Sequence, residues 1–255
     1  MTPAEMVAVF AAGVSAGAVN TVVGSGSLIT FPVLLATGMP PVTAAVSNTL
    51  GVIPGSISGA IGYRTELSGQ SRRILKMSVS ALLGGLAGAT LLLALPATAF
   101  EKIVPALMGL ALVLVVLQPR ISASVRRRRE RADDSARPDG GRLLLTGLTL
   151  ASVYGGYFPA AQGIIYMSLM GVLLDETLQR LNAVKNVLVA VVNSVAALFF
   201  LFSAAFDWTA VALIAAGSAL GGPIGARVGR RLSPAMLRSL IVTVGTVAIV
   251  QLLRH

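Results

Sequence analysis

The segment Asn20-Thr21-Val22-Val23-Gly24-Ser25-Gly26-Ser27-Leu28-Ile29-Thr30-Phe31-Pro32 lies within an apolar stretch from about Met6 to Leu35. A bilayer-crossing helix needs about 20 residues. The stretch is too long for one ordinary span, and Gly24 to Ser27 and then Pro32 interrupt it. The pattern predicts two shorter helical pieces joined at a glycine-rich break. In hydrocarbon, backbone groups freed by such a break must be satisfied inside the protein.

Beyond the turn signal Gly38-Met39-Pro40-Pro41, apolar stretches run from about Val42 to Tyr63, Met77 to Leu95 and Ile103 to Leu117. Gln118 to Arg142 is hydrophilic, carries Arg126-Arg127-Arg128-Arg129, and reads as a solvated linker. A second broken stretch, about Leu143 to Leu174, is interrupted around Gly155-Gly156-Tyr157-Phe158-Pro159 and again near Gln162-Gly163. Spans at Leu181 to Phe202, Trp208 to Ile224 and Met236 to Leu253 follow it. The expected fold is an all-α integral membrane protein of about eight transmembrane segments. Residues 1–118 and 143–255 would each hold a broken segment and three helices, joined by a basic linker at 119–142.

Composition agrees. The 255 residues are 55% hydrophobic and 12% charged, with a mean hydropathy of +0.83, whereas soluble domains are about a quarter charged. There is no cysteine, and the one histidine is His255. Thiolate chemistry, a disulfide, a Cys/His metal site and a Ser-His-Asp triad are therefore excluded, and neither cofactor nor metal is expected. Twenty-seven glycines allow close helix packing and broken helices in lipid.

The net charge of +10 could suit nucleic acid, but its placement argues otherwise. Arg64 to Lys76 holds four basic residues, Arg120 to Arg142 eight and Arg227 to Arg238 four, together sixteen of the twenty. Lys and Arg concentrate in cytoplasmic loops, so these three connections are expected inside and both termini outside. No nucleic-acid partner is expected; Arg126 to Arg129 also suits anionic lipid. Met1-Thr2-Pro3-Ala4-Glu5 lacks the basic region of a signal peptide, so the first segment is expected to remain. Trp208 has the ring favoured at a membrane surface.

Ala45-Val46-Ser47-Asn48-Thr49-Leu50 aligns with Ala183-Val184-Lys185-Asn186-Val187-Leu188; the same offset puts Ser56 on Ser194 and brings Gly26 near Gly163. With the loop charges, this predicts two repeats of opposite orientation. Inverted repeats with discontinuous helices recur in secondary transporters, whose sites lie at the repeat interface near mid-membrane.

The residues from Asn20 to Pro32, with Gly38-Met39-Pro40-Pro41 and Ala44-Ala45-Val46-Ser47-Asn48-Thr49, resemble the TauE/SafE family of sulfite and organosulfur anion exporters. The resemblance covers nearly the whole chain. Two departures stand out: family members commonly carry a denser glycine cluster than Gly24-Ser25-Gly26-Ser27, and the second half has Pro159-Ala160-Ala161-Gln162-Gly163 in its place. The resemblance implies transport of a small anion more securely than of sulfite itself.

Candidate substrate-binding residues are Asn20, Thr21, Gly24, Ser25, Gly26 and Ser27 at the first break, Gln162 and Gly163 at the second, and Asn48, Thr49, Lys185 and Asn186 on the helices that follow. Half-helix N-termini at the breaks would offer N–H groups and positive dipole potential to an anion. Alternatively, the glycines only permit close packing. Asn48 and Asn186, at equivalent positions, either share a cavity or join helices by hydrogen bonds. Lys185 stands where the first half has Ser47; it either attracts an anion or sends its ammonium along its flexible stem to the cytoplasmic surface. Asn193 is a weaker candidate. Gly84-Gly85, Gly88, Gly221-Gly222 and Gly225 read as packing faces. The carboxylates Glu66, Glu101, Asp175, Glu176 and Asp207 fall near span ends or in loops, leaving coupling open between Asp175 or Glu176, a protonated substrate and the membrane potential.

The expected function is secondary transport of a small anion across a bacterial cytoplasmic membrane, with export of sulfite or an organosulfonate implied by the resemblance. An anion channel, a carboxylate carrier and a non-transporting scaffold remain open, and an enzyme is disfavoured. The cysteine-free chain permits a direct test of the topology. A membrane-impermeant maleimide should label Thr98→Cys in intact cells and Ser68→Cys only after permeabilisation; the reverse pattern would invert the orientation.

Overall fold

The computed structural model describes residues 1–131, 140–228, 239, 241–247, 249 and 250. Among these residues the regular elements are all helices: α1 Pro3–Val22, α2 Ser27–Ala36, α3 Pro41–Gly51, α4 Ile53–Gly62, α5 Ser71–Ala94, α6 Ala97–Arg131, α7 Gly141–Tyr157, α8 Gln162–Leu173, α9 Leu178–Leu201 and α10 Trp208–Val228. Six stretches within the described residues are long and apolar enough to cross a membrane: α1, α3 with α4, α5, the first part of α6, α9 and α10 up to Arg227. The protein is thus an all-helical, multi-pass membrane protein. The expected span from Met236 to Leu253 lies largely outside the described residues, with residues 241–247 helical.

The first broken segment differs from expectation. Instead of two short pieces it has one full-length helix, the 20 residues of α1, and a short one, the 10 residues of α2. At about 1.5 Å per residue α1 can cross the hydrocarbon and α2 only half of it. Two local features explain the length. Thr2 and Glu5 form a capping box, Thr2 Oγ1 accepting from the Glu5 amide at 3.3 Å and the Thr2 amide donating to Glu5 Oε2 at 2.7 Å, so α1 begins at Pro3. At the other end Gly24, at φ +87°, takes a left-handed conformation that ends the helix. The second broken segment is divided similarly, with 17 residues in α7 and 12 in α8.

Two more departures have simple causes. The expected span from Val42 to Tyr63 divides at Val52 into α3 and α4, because Pro54 has no amide hydrogen and its ring conflicts with the carbonyl four residues back. The first part of the expected linker is not loop, since α6 continues to Arg131. Alanine, arginine and glutamate are strong helix formers that need no apolar face to extend a helix into water. Residues 132–139 lie outside the described residues.

The longest contacts join the two halves of the chain: α1 lies along α10 and α5 along α7. Their backbones approach closely at the glycines read as packing faces. A methyl at Gly88 would sit 2.1 Å from the Val153 carbonyl oxygen, and one at Gly221 2.0 Å from that of Val14. Small residues bring membrane helices together because apolar burial gives no net drive for association in lipid. At the end of α7, Phe158 packs edge-on against Phe31 at 5.3 Å, and Phe100 packs against Tyr157 at 5.6 Å.

Gly88→Leu should lower the melting temperature markedly in detergent, because overpacking costs about 1–3 kcal/mol even where neighbours can yield and here the neighbour is backbone. Gly109→Ala, on α6 where a methyl meets nothing within 4 Å, should instead match or exceed the parent. Equal melting of the two variants would refute the close-packing account.

Candidate functional site

The two breaks meet. Gly24 ends α1 and Gly163 lies in the first turn of α8, and the Gly163 amide donates to the Gly24 carbonyl at 3.1 Å. A methyl on either would stand 2.5 Å from the other's Cα. Glycine at 24 is therefore required twice, by its positive φ and by its neighbour. The second break solves the same turn differently: Ala161 adopts φ +58°, the one non-glycine among the described residues with positive φ. Phe158 leads towards it in extended form, and Tyr154 Oη donates to the Ala160 carbonyl at 2.8 Å.

A helix that stops inside the protein leaves its last carbonyls unpaired. At the end of α1 these belong to Asn20 and Thr21, and α9 satisfies them. Lys185 Nζ donates to Asn20 O at 2.9 Å and to Thr21 O at 3.1 Å, while Asn182 Nδ2 and Asn186 Nδ2 reach Thr21 O at 3.1 and 3.4 Å. The lysine stem runs past Gly163; a methyl there would lie 3.0 Å from Lys185 Cδ. Lys185 is 0% exposed, so its ammonium does not reach the surface. Its charge faces the negative end of the α1 dipole, and among the described residues it has no carboxylate partner. Two of its three N–H groups are engaged by these bonds.

The polarity at the junction differs from the sequence expectation. Free amides were expected to dominate, yet several first-turn amides are already used: Leu28 N on Ser25 O, Ile29 N on Gly26 O, Ile164 N on Ala161 O and Gly163 N on Gly24 O. What faces Lys185 is a carbonyl end, because the break was formed by ending α1 against α9.

The other candidates divide into two groups. Asn20, Thr21, Gly24, Gly163, Lys185 and Asn186 come together at the junction. Asn20 Nδ2 also donates to Ser56 Oγ at 3.2 Å. Gly26 packs against the Ala16 carbonyl, and Ser25 and Ser27 are buried. Gln162 lies against Gly155 and donates to Tyr166 Oη at 2.6 Å, whose oxygen is 2.6 Å from Ser152 Oγ. Asn48 and Asn186 have different hydrogen-bond partners: Asn48 Oδ1 accepts from Thr30 Oγ1 on α2, and Thr49 bonds within its own helix to Ala45 O at 2.8 Å. Ser47 accepts from the Asp207 amide at 3.0 Å. Glu176 is held by Arg73 and Arg180, each at 2.8 Å, and so is not a free carboxylate.

Several buried polar atoms have no partner among the described residues: Ser25 Oγ, Tyr157 Oη, Gln162 Oε1, Asn182 Oδ1, Asn186 Oδ1 and Asn193 Oδ1. Asn182 was not among the sequence candidates, although its signal was present. Asn182, Lys185, Asn186 and Asn193 fall at positions i, i+3, i+4 and i+11, which aligns them on one helix face.

Discontinuous helices that meet at a buried polar centre, in a chain of membrane-length helices, define a multi-pass protein of the transporter type. The chain belongs to the TauE/SafE family: the model described as "Sulfite exporter TauE/SafE" matches residues 9–252. It is 27% identical over 254 residues to "Probable membrane transporter protein YfcA" of Escherichia coli K12, covering 99% of this chain and 91% of that protein. It is also 26% identical over 236 residues to a probable membrane transporter protein of Haemophilus influenzae (91% and 88% covered) and 25% identical over 244 residues to "Probable membrane transporter protein ORF9" of Sinorhizobium sp. (96% and 90%). No solved structure matches the chain.

Gly24→Ala and Gly163→Ala should each destabilise the folded protein, Gly24→Ala by about 1–2 kcal/mol more because of its left-handed backbone. Since both methyls would force apart the same contact, the double variant should cost less than the sum of the singles, read from melting temperatures in detergent. Strict additivity would mean that the breaks do not share one contact.

Proposed function

We propose that the protein is a secondary transporter that moves a small anion across a bacterial cytoplasmic membrane, with Lys185 as the charge that attracts the substrate. The reading rests on one observation: the fully buried amino group of Lys185, held between two helix breaks, bonds to carbonyl oxygens and has no carboxylate partner among the described residues. A desolvated cation without a counter-ion is costly, and a bound anion offsets that cost. The third N–H of Lys185 is a donor for it, and Ser25, next to Gly24 at the junction, carries a buried hydroxyl without a partner among the described residues. The unpartnered amide oxygens of Gln162, Asn182 and Asn186 suit a hydroxyl on the substrate. A partly protonated sulfur oxyanion such as hydrogensulfite, or an organosulfonate that carries a donor, matches this mixture, and the family description favours sulfite and export.

The proposed framework is two inverted repeats, residues 1–118 and 143–255, joined by a cytoplasmic linker at 119–142, with both termini outside. The packing supports it. An exchange that relates α1 to α7 and α5 to α10 turns the α1–α10 pair into the α7–α5 pair, and these are the two most extensive helix contacts. Rocking of one half against the other would then open Lys185 to each side in turn. Arg126 to Arg129 would contact anionic lipid at the inner surface, and no nucleic acid takes part.

Lys185→Gln can still donate to the α1 carbonyls but lacks the charge, so the variant should insert and fold while saturable sulfite flux in proteoliposomes falls at least tenfold. Asn186→Leu and Asn48→Leu should abolish flux with insertion intact. Unchanged flux in all three would remove the site assignment, and flux that neither saturates nor shows counterflow would make the protein a channel.

A further inference from the structure

A groove of about 550 Å³ opens on the apolar flank formed by α4, α5 and α9, among Ile57, Leu82, Ala190 and Leu198, and Arg64 closes one end. Around the end of α4, between α4 and α10, lies a second cavity of about 710 Å³ with a more mixed lining: Arg64, Arg227, Ser58 and Thr65 beside Pro223 and Ala226. The two share Ile61 and Arg64. One apolar trough and one mixed basin that carries two arginines, joined at Arg64, together have the form of an amphiphile with a negative head.

The dimensions suit a membrane lipid. From Val187 to Leu198 the groove follows α9 for about 16 Å at 1.5 Å per residue, close to the roughly 15 Å thickness of one hydrocarbon leaflet. Tyr63, beside Arg64, packs with Ala183 of α9, so the arginine lies at the Val187 end and the apolar walls extend away from it. Ile57, Ile61 and Leu198 are 45, 57 and 56% exposed, as walls in contact with lipid would be. Neither Arg64 nor Arg227 has a carboxylate partner among the described residues. The carbonyl ends of α4 and α10 repel an anion, so the two guanidinium groups alone must hold it, and arginine binds phosphate in a bidentate fork.

We propose that this pair of cavities is a site for an anionic glycerophospholipid of the leaflet that the Arg64–Lys76 connection faces, with one acyl chain in the groove and the phosphate on Arg64 and Arg227. The site is independent of the transported anion. It also bears on it, because α4 and α5 come from one half of the chain and α9, which carries Lys185, from the other. A lipid seated there bridges the halves.

The test uses the purified, delipidated full-length protein in detergent, with melting followed on addition of phosphatidylglycerol, phosphatidylcholine or glycerol phosphate. Phosphatidylglycerol should raise the melting temperature by several degrees at concentrations where the other two do not. Arg64→Gln, at an exposed position, should remove the preference for phosphatidylglycerol. Ala190→Phe, which fills the groove, should weaken stabilisation by that lipid at least tenfold in half-effective concentration. Equal stabilisation by both lipids would overturn the proposal. So would a glycerol phosphate effect as large as that of the lipid, which would mark a free-anion basin, and so would a Leu198→Cys variant that crosslinks two copies in membranes, which would make the groove a dimer interface.

Discussion

The contact between Lys185 and the end of α1 is the constraint on which the rest depends. Ending a helix in a membrane exposes carbonyls to a medium that cannot solvate them, and each such group costs several kcal/mol. Hydrogen bonds from a charged donor return about 1.5–3 kcal/mol each. Lys185 supplies two, and Asn182 and Asn186 add neutral ones at Thr21. In exchange, a cation is held away from water with only partial compensation. The same arrangement that makes the break tolerable leaves an attractive centre for negative charge.

That arrangement requires close backbone approach. Lys185 reaches Asn20 and Thr21 only by passing a residue without a side chain at 163, and Gly24 must lie against it. The wider helix pairs hold this geometry in the same way, through glycines at 88 and 221 set against carbonyl oxygens of α7 and α1. Glycine at these positions sets distance. Replacing any of them would separate the halves by the width of a methyl group and carry the lysine off its carbonyls. The phenylalanine cluster of Phe31, Phe100 and Phe158 fills the space beside the second break, where the left-handed Ala161 accepts strain that glycine avoids at 24.

Much of this was legible along the chain. The glycine-serine run at 24–27 and the paired Asn48 and Asn186 pointed to broken helices and to buried polar positions, and Lys185 stood out as a charge in an apolar helix. Three things were not legible. The capping box at Thr2 and Glu5 lengthens α1 into a full span, and it lay outside the apolar pattern used to bound that helix. The helical continuation of α6 to Arg131 follows from propensity in a stretch whose polarity suggested loop. The partners of Asn48 and Asn186 differ, Thr30 for one and Thr21 for the other, because two similar sequence motifs meet different neighbours once the chain has folded.

The amino-acid sequence by itself determined that the protein lies in a membrane, where its helices are interrupted and which family it resembles, because hydrophobic length, glycine position and motif identity are local properties. Only the tertiary structure decided that the interruptions touch, that Lys185 is buried with the carbonyl end of α1, and that Arg64 joins an apolar groove to a mixed basin. Those facts depend on which helix lies beside which, and that is set by the packing of residues more than a hundred positions apart.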